Sequence, residues 1–254
     1  MPEPVIELRD TGVAYRLMRD KALSLQDYTF AFLRRRVSYE QHWALNNVSL
    51  EVQRGELVGI VGANGAGKTT LLKLVGRVVP PSSGRVIVRG SVAPMIELGA
   101  GFSIELTGLE NIVLYGALLG HEPRWLMEQA EAIADYADLL DYLDVPLRAY
   151  SSGMVARLAF AVATVGTPDV LLVDEVMAVG DEAFRQRSQR RIEELIDGGT
   201  AVLLVSHALD HVCRIADRAV WLAHGCVMST GDPDDVVGAY RAAVQANTAE
   251  VTVG

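Results

Sequence analysis

Residues 62–70, with the sequence GANGAGKTT, constrain the fold more than any other part of the chain. They match the phosphate-loop pattern GxxxxGK(S/T), in which glycines let successive backbone N–H groups point at one phosphate. Residues 57–61 before the loop have the pattern of a buried strand, and residues 71–75 after it that of a helix. The N-terminus of that helix adds a partial positive charge. This strand–loop–helix pattern predicts an α/β fold with a nucleoside triphosphate site.

Two side chains of the loop carry the chemistry expected at such a site. Lys68 would reach the β- and γ-phosphates, and the Thr69 hydroxyl would ligate Mg²⁺. The whole loop is expected to contact the nucleotide, through Gly62, Ala63, Asn64, Gly65, Ala66, Gly67, Lys68, Thr69 and Thr70.

Composition argues against several other classes of protein. The chain has 254 residues, half of them hydrophobic, which is enough for a substantial core. A net charge of −9 disfavours a broad nucleic-acid surface, because phosphate neutralisation needs clustered cations. The two cysteines have neither a disulfide nor a zinc pattern, and no signal peptide is evident, so a cytoplasmic location is expected. No uncharged apolar run is long enough to span a bilayer, so work at a membrane would need a separate subunit.

Polar residues follow two further apolar strands, at residues 170–173 and 201–205, with a helical pattern at 183–196 between them. Asp174, at the end of the first strand, is placed to hold Mg²⁺ through water, and Glu175 to polarise a water for attack on the γ-phosphate. His207 follows the second strand and is expected to contact the γ-phosphate and orient that water. The remaining histidines are interpreted as structural: His42, His121, His211 and His224.

Residues 150–154, with the sequence YSSGM, precede an alanine-rich helix and the strand at 170–173. In order along the chain, the phosphate loop, Glu97, this segment, the Asp174-Glu175 pair, Asp181 and His207 resemble the ATP-binding cassette family, whose signature at this position is typically LSGGQ. The resemblance covers nearly the whole chain. It implies a RecA-like parallel-sheet core with an antiparallel β subdomain and a helical signature subdomain at about residues 98–165. These would form a single domain, residues 1–246, followed by a flexible tail at 247–254.

The resemblance also implies roles for residues outside the phosphate loop. Two cassettes would pair as a homodimer in the ATP-bound state, so that Ser152 and Gly153 of one cap the ATP bound to the other. Glu97 stands near the position of the Q-loop glutamine, which senses Mg²⁺ and touches the membrane subunit. Tyr15 matches the aromatic residue that stacks on adenine, and Trp43 is its rival.

The sequence departs from the family pattern at three places. Glu97 stands where glutamine is usual, the signature is YSSGM, and residues 178–181 lack the usual serine of the D-loop. None of these departures removes a group that ATP hydrolysis requires.

Residues 97–102 and 106–112 look like those of ATPase subunits of bacterial polysaccharide exporters. An inserted helix expected at about residues 16–43 is similar to the gate helix of those subunits. The resemblance implies ATP hydrolysis that drives export of lipid-linked O-antigen, teichoic acid or galactan through a polytopic permease present in two copies. The cassette would be peripheral, on the cytoplasmic face of the inner membrane. The chain is expected to stop too soon to hold the carbohydrate-binding domain of some relatives.

The sequence leaves three alternative functions open. A drug or small-lipid exporter of the ABC-2 type would share the ATP motifs but should lack the inserted helix. A soluble cassette protein of DNA repair or translation is expected to show a long coiled-coil insertion or a second cassette, and neither is evident. A regulator that does not turn over ATP is disfavoured by Glu175 and His207.

The inserted segment generates a prediction of its own. Its aromatic residues, Tyr28, Phe30 and Phe32, suit docking at the membrane subunit or interface. The arginines at 34–36 can bind phosphates of the lipid carrier bidentately. Replacing the three arginines with alanine should therefore impair glycan export in cells and leave the ATPase activity of the isolated subunit nearly unchanged. Normal export at a normal protein level would mean that the arginines only solvate the surface.

Overall fold

The structure is a computed structural model that describes residues 3–18, 39–96, 99, 101–174 and 182–253. Its strands are β1 Ile6–Met18, β2 Tyr39–Val52, β3 Leu57–Val61, β4 Ser83–Val88, β5 Val92–Met95, β6 Val170–Asp174, β7 Ala201–Val205, β8 Arg218–Ala223 and β9 Cys226–Gly231. Its α-helices are α1 Lys68–Val75, α2 Gly108–Leu118, α3 Pro123–Tyr136, α4 Ser152–Thr164, α5 Glu182–Asp197, α6 Leu209–Ile215 and α7 Pro233–Val253. None of the helices in these ranges is long and apolar enough to cross a membrane.

The strands form two sheets. A three-stranded antiparallel sheet has the order β2-β1-β4, and a six-stranded sheet has the order β5-β6-β7-β3-β8-β9. The pairs from β5 to β8 are parallel, and β9 adds antiparallel to β8. This combination of a parallel core, an antiparallel subdomain and a helical region confirms the predicted fold class.

The two faces of the large sheet are buried in different apolar clusters. Along β6, Leu171 and Val173 face a cluster that includes residues of α2 to α5, because successive side chains of a strand point to opposite sides. Val170 and Leu172 face a second cluster, which includes residues of α1 and of the small sheet. Burial on both faces accounts for the uninterrupted apolar sequences of the central strands.

The register of the parallel strands places three sequence motifs at one edge of the large sheet. Ile60 of β3 and Asp174 of β6 both pair with Val205 of β7. The phosphate loop follows β3, and His207 follows β7. The loop, Asp174 and His207 therefore lie together at the carboxyl edge of these strands.

Three predicted boundaries differ from the observed ones. Residues 16–18 and 39–43, expected in the inserted helix, belong to β1 and β2, since antiparallel pairing continues to Met18 opposite Tyr39. The rest of that segment, residues 19–38 with the three arginines, lies outside the described residues. The backbone of α7 is helical to Val253, whereas a frayed tail is expected from Asn247.

The helical pattern of the sequence runs from residue 122 to residue 143, but α3 ends at Tyr136 and is followed by a short 3-10 turn, Leu140–Tyr142. Asp138 has a φ of 56°, a left-handed conformation that interrupts an α-helix. Arg187 of α5 donates to the carbonyl oxygen of Tyr136 at 2.9 Å and to the Asp138 carboxylate at 3.1 Å. A contact from a distant helix therefore stabilises this ending, which local helical spacing does not predict.

Asp169 connects three segments at the opposite edge of the large sheet. It accepts hydrogen bonds from the Ser91 backbone N–H at 2.8 Å and from the Arg54 guanidinium at 2.6 Å. The bond from Ser91 and the ion pair with Arg54 lower the pKa of Asp169 below its ordinary value of 3.8. The ionised carboxylate therefore contributes stability that is present above that pH and is lost as the pH falls through the lower folded value.

We predict that Asp169→Asn lowers the melting temperature by a few degrees at neutral pH, because the ion pair with Arg54 is lost. The difference between parent and variant should narrow as the pH falls below 3.8, where the parent carboxylate also becomes protonated. Calorimetric melting at several pH values measures both effects. The control is Asp141→Asn, which changes an exposed carboxylate. Equal melting temperatures of Asp169→Asn and the parent at neutral pH would contradict the prediction.

Candidate nucleotide-binding site

The phosphate loop lies against the backbone of two other strands. Gly62, Gly65 and Gly67 have φ angles of 150°, 77° and 106°, which side chains disfavour. A Cβ on Gly62 would lie 2.1 Å from the carbonyl oxygen of Leu222 in β8, and one on Gly67 would lie 2.5 Å from that of Ala44 in β2. Glycine is therefore required at positions 62 and 67 for both conformation and space.

The Lys68 side chain curls over the loop. It is only 7% exposed, and its Nζ donates to the carbonyl oxygens of Gly62 at 2.7 Å and Ala63 at 3.0 Å. These contacts hold an ammonium group at the N-terminus of α1, where the helix already favours an anion. The position suits contact with a terminal phosphate.

Thr69 and Asp174 form the oxygen-rich part of the site. The Thr69 hydroxyl donates to Oδ2 of Asp174 at 3.1 Å, although the two residues are 105 positions apart. A hydroxyl and a carboxylate are hard oxygen donors, the kind that Mg²⁺ prefers in proteins. The donor set therefore fits the predicted metal.

A cleft of about 600 Å³ connects these groups. Its lining residues come from the small sheet, the phosphate loop and the ends of the central strands: Tyr15, His42, Ala44, Asn64, Gly65, Ala66, Gly67, Lys68, Thr69, Thr70, Ile96, Asp174, Val205 and His207. Most of the predicted nucleotide residues lie here. Gly62 and Ala63 do not line the cleft, and they contribute the carbonyl groups that hold Lys68.

Tyr15 and Trp43, the two candidates for stacking on adenine, lie in different places. Tyr15 lines the cleft, whereas Trp43 does not. A Cβ on Gly12 would lie 2.6 Å from the Trp43 ring, so that ring covers Gly12. The geometry therefore favours Tyr15.

His42, interpreted as structural from the sequence, lines the cleft opposite Tyr15 in the β1–β2 pair. The strand alternation of β2 could have placed it there, had the register with β1 been known from the sequence.

The signature segment caps a helix. The Ser151 hydroxyl accepts from the Met154 backbone N–H at 3.2 Å, and α4 begins at Ser152. Ser152 is exposed, and neither it nor Gly153 lines the cleft of its own chain. Aligned letter by letter with LSGGQ, YSSGM has Ser151 at the serine position, whereas the predicted site residues of this segment are Ser152 and Gly153. The alignment of YSSGM with LSGGQ is the sequence feature that indicates Ser151.

Three residues of the family motifs lie outside the described part of the chain. These are Glu97, Glu175 and Asp181. Their roles stay predictions.

The fold and the cleft define a phosphate-loop nucleoside triphosphatase with a parallel α/β core. A sequence profile described as ABC transporter matches residues 45–178, which is more than half of the chain. The chain belongs to the ABC transporter family. Family membership confirms the predicted activity, ATP hydrolysis by an ATP-binding cassette.

Two relatives and one solved structure show the extent of the similarity. The chain is 38% identical over 244 residues to the O-antigen export system ATP-binding protein RfbB of Klebsiella pneumoniae, covering 95% of this chain and 99% of the relative. It is 40% identical over 201 residues to the teichoic acids export ATP-binding protein TagH of Bacillus cereus, covering 79% of this chain and 36% of the relative. A dimeric ATP-binding cassette bound to ADP and Pi, in a post-hydrolysis state, superposes with a TM-score of 0.72 at 21% identity, covering 90% of this chain and 98% of that structure.

We predict that Gly67→Ala weakens ATP binding at least about tenfold and destabilises the fold by roughly 2 kcal/mol, because Cβ would meet the Ala44 carbonyl at a left-handed φ. Isothermal calorimetry and chemical denaturation measure the two effects. Gly238→Ala is the matched control, since a Cβ on that exposed glycine of α7 would meet nothing within 4 Å. Unchanged ATP affinity in Gly67→Ala would show that the loop tolerates a side chain there.

Proposed function

We propose that this chain is the ATP-hydrolysing subunit of an exporter that moves lipid-linked polysaccharide across the bacterial inner membrane. The observation that carries the proposal is the similarity to an O-antigen export protein along 99% of that protein's length. The teichoic acid relative is named for a different polymer. The proposal therefore names the class of cargo, a lipid-linked glycan, and no particular glycan.

The cleft residues would have different roles in ATP hydrolysis. Lys68 and the loop N–H groups would bind the β- and γ-phosphates, and Thr69 and Asp174 would hold Mg²⁺. The metal, when bound, offsets the negative charge of the phosphates. His207 would orient the attacking water, and Glu175 would accept its proton. Glu97 would sense the metal near the Q-loop position.

The proposed ATP-bound form is a homodimer. Ser151, Ser152 and Gly153 lie at the N-terminus of α4, where free backbone N–H groups favour an anion. Because Ser152 and Gly153 do not line the cleft of their own chain, they are available to a second copy. Each nucleotide would then be bound between one phosphate loop and the other signature segment.

The proposed membrane partner is a polytopic permease in two copies, with the cassette bound on its cytoplasmic side. Since none of the described helices can span a bilayer, the translocation path would be formed by that partner. The cargo would reach the permease as a lipid-linked glycan, and the energy would come from ATP bound in the cleft.

We predict that Glu175→Gln retains ATP binding and loses at least about a hundredfold in hydrolysis, because an amide cannot act as a general base. The purified variant should dimerise on addition of ATP, as light scattering would report. A strain carrying only this variant should accumulate lipid-linked glycan inside the cell, measured by extraction and mass spectrometry.

Glu131→Gln, at an exposed carboxylate of α3, is the control and should hydrolyse ATP and support export like the parent. Hydrolysis by Glu175→Gln near the parent rate would contradict the general-base role. Normal surface glycans in a strain that lacks the gene would reject polysaccharide export and leave the ATPase assignment intact.

A further inference from the structure

His42 belongs to the part of the cleft that the small sheet contributes. It stands directly opposite Tyr15 in the antiparallel pairing of β1 and β2, and both line the cleft that also contains Lys68 and Thr69. Directly opposed residues of antiparallel strands share one face, with Cβ atoms about 4.5–5.5 Å apart. We call Tyr15 and His42 the ring pair.

A β-bulge lies next to the ring pair in β2. Val13 pairs with Leu45 and Ala14 with Trp43, so Ala44 has no residue opposite it in the register. A bulge of this kind bends a strand and changes where its side chains point. Here it accompanies a strand in which His42 and Ala44 line the cleft while Trp43 covers Gly12.

The bulged strand is connected to the phosphate loop through its backbone. The Asn46 N–H donates to the Gly225 carbonyl oxygen at 2.8 Å, and the Gly225 N–H donates to the Ala66 carbonyl oxygen at 3.0 Å. The Ala44 carbonyl oxygen also lies so close to Gly67 that a Cβ there would be 2.5 Å away. The ring pair is therefore held in a defined position relative to the phosphate-binding groups.

The phosphate loop and the small sheet contribute different chemical groups to the cleft. The loop offers an ammonium, hydroxyls and N–H groups, which suit phosphates, and the small sheet offers two aromatic rings. Aromatic side chains bind nucleobases by stacking on their π faces. Two rings side by side present a wider surface than one, which suits a bicyclic purine.

We infer that His42 supplies the second ring of the surface on which the nucleobase of ATP stacks, beside Tyr15. The inference rests on the proposed nucleotide site and adds to it a residue that determines affinity for the nucleoside and not for the phosphates.

The test compares two probes, Mg-ATP and inorganic triphosphate with Mg²⁺, by isothermal calorimetry. His42→Ala should bind ATP about threefold to tenfold more weakly and triphosphate unchanged, because only ATP carries a base. His42→Phe, which keeps a ring, should recover most of the ATP affinity. Gln41→Ala is the matched control: it changes an exposed residue next to His42 that does not line the cleft, and both probes should bind it like the parent.

Equal ATP affinity of His42→Ala and the parent would overturn the inference, as would a parallel loss for triphosphate or a failure of His42→Phe to recover binding. Melting of each variant without nucleotide checks that the fold is retained. A parent protein that binds neither probe would instead reject the proposed nucleotide site itself, so the two failures are distinguishable.

Discussion

The close approach of the phosphate loop to two backbone carbonyl groups is the constraint on which the site depends. The Leu222 carbonyl faces Gly62, and the Ala44 carbonyl faces Gly67, at distances that exclude any side chain. These contacts place the loop between β8 of the large sheet and β2 of the small sheet. The loop conformation, the entry into α1 and the position of the small sheet are therefore one packing arrangement.

Burial of the large sheet on both faces supports that arrangement. The central strands are apolar on each side, so their polar and catalytic residues can stand only where the strands end. Parallel pairing then aligns those ends, which brings Thr69 and Asp174 within hydrogen-bond distance across 105 residues of sequence. The same sheet that forms the core therefore assembles the metal-binding oxygens and the phosphate-binding lysine.

The helical region is joined to the large sheet by polar contacts as well as apolar packing. Asp138 accepts from Arg187 at 3.1 Å and lies 3.6 Å from Arg157, so residues of α4 and α5 meet at the end of α3. The side-chain nitrogen of the buried Asn111 shares its two N–H donors among the carbonyl oxygens of Ser103, Leu106 and Thr107, which orders the loop before α2. Buried amides of this kind are costly to leave without partners, which accounts for an asparagine inside an apolar cluster.

The sequence alone determined the phosphate loop, the central strands and the residues at their ends, because these depend on local pattern: glycine spacing, apolar runs and polar residues that follow them. It also indicated the family through the order of its motifs. Only the tertiary structure decided which face of β2 meets the cleft, since a bulge at Ala44 changes the register and no local pattern encodes it. For the same reason the sequence did not place His42 at the cleft and left Trp43 as an alternative to Tyr15. The end of α3 at Tyr136 likewise depends on Arg187, which is 51 residues away along the chain. Contacts between distant segments decide such features, because the free energy that selects them comes from packing and hydrogen bonds that local sequence does not contain.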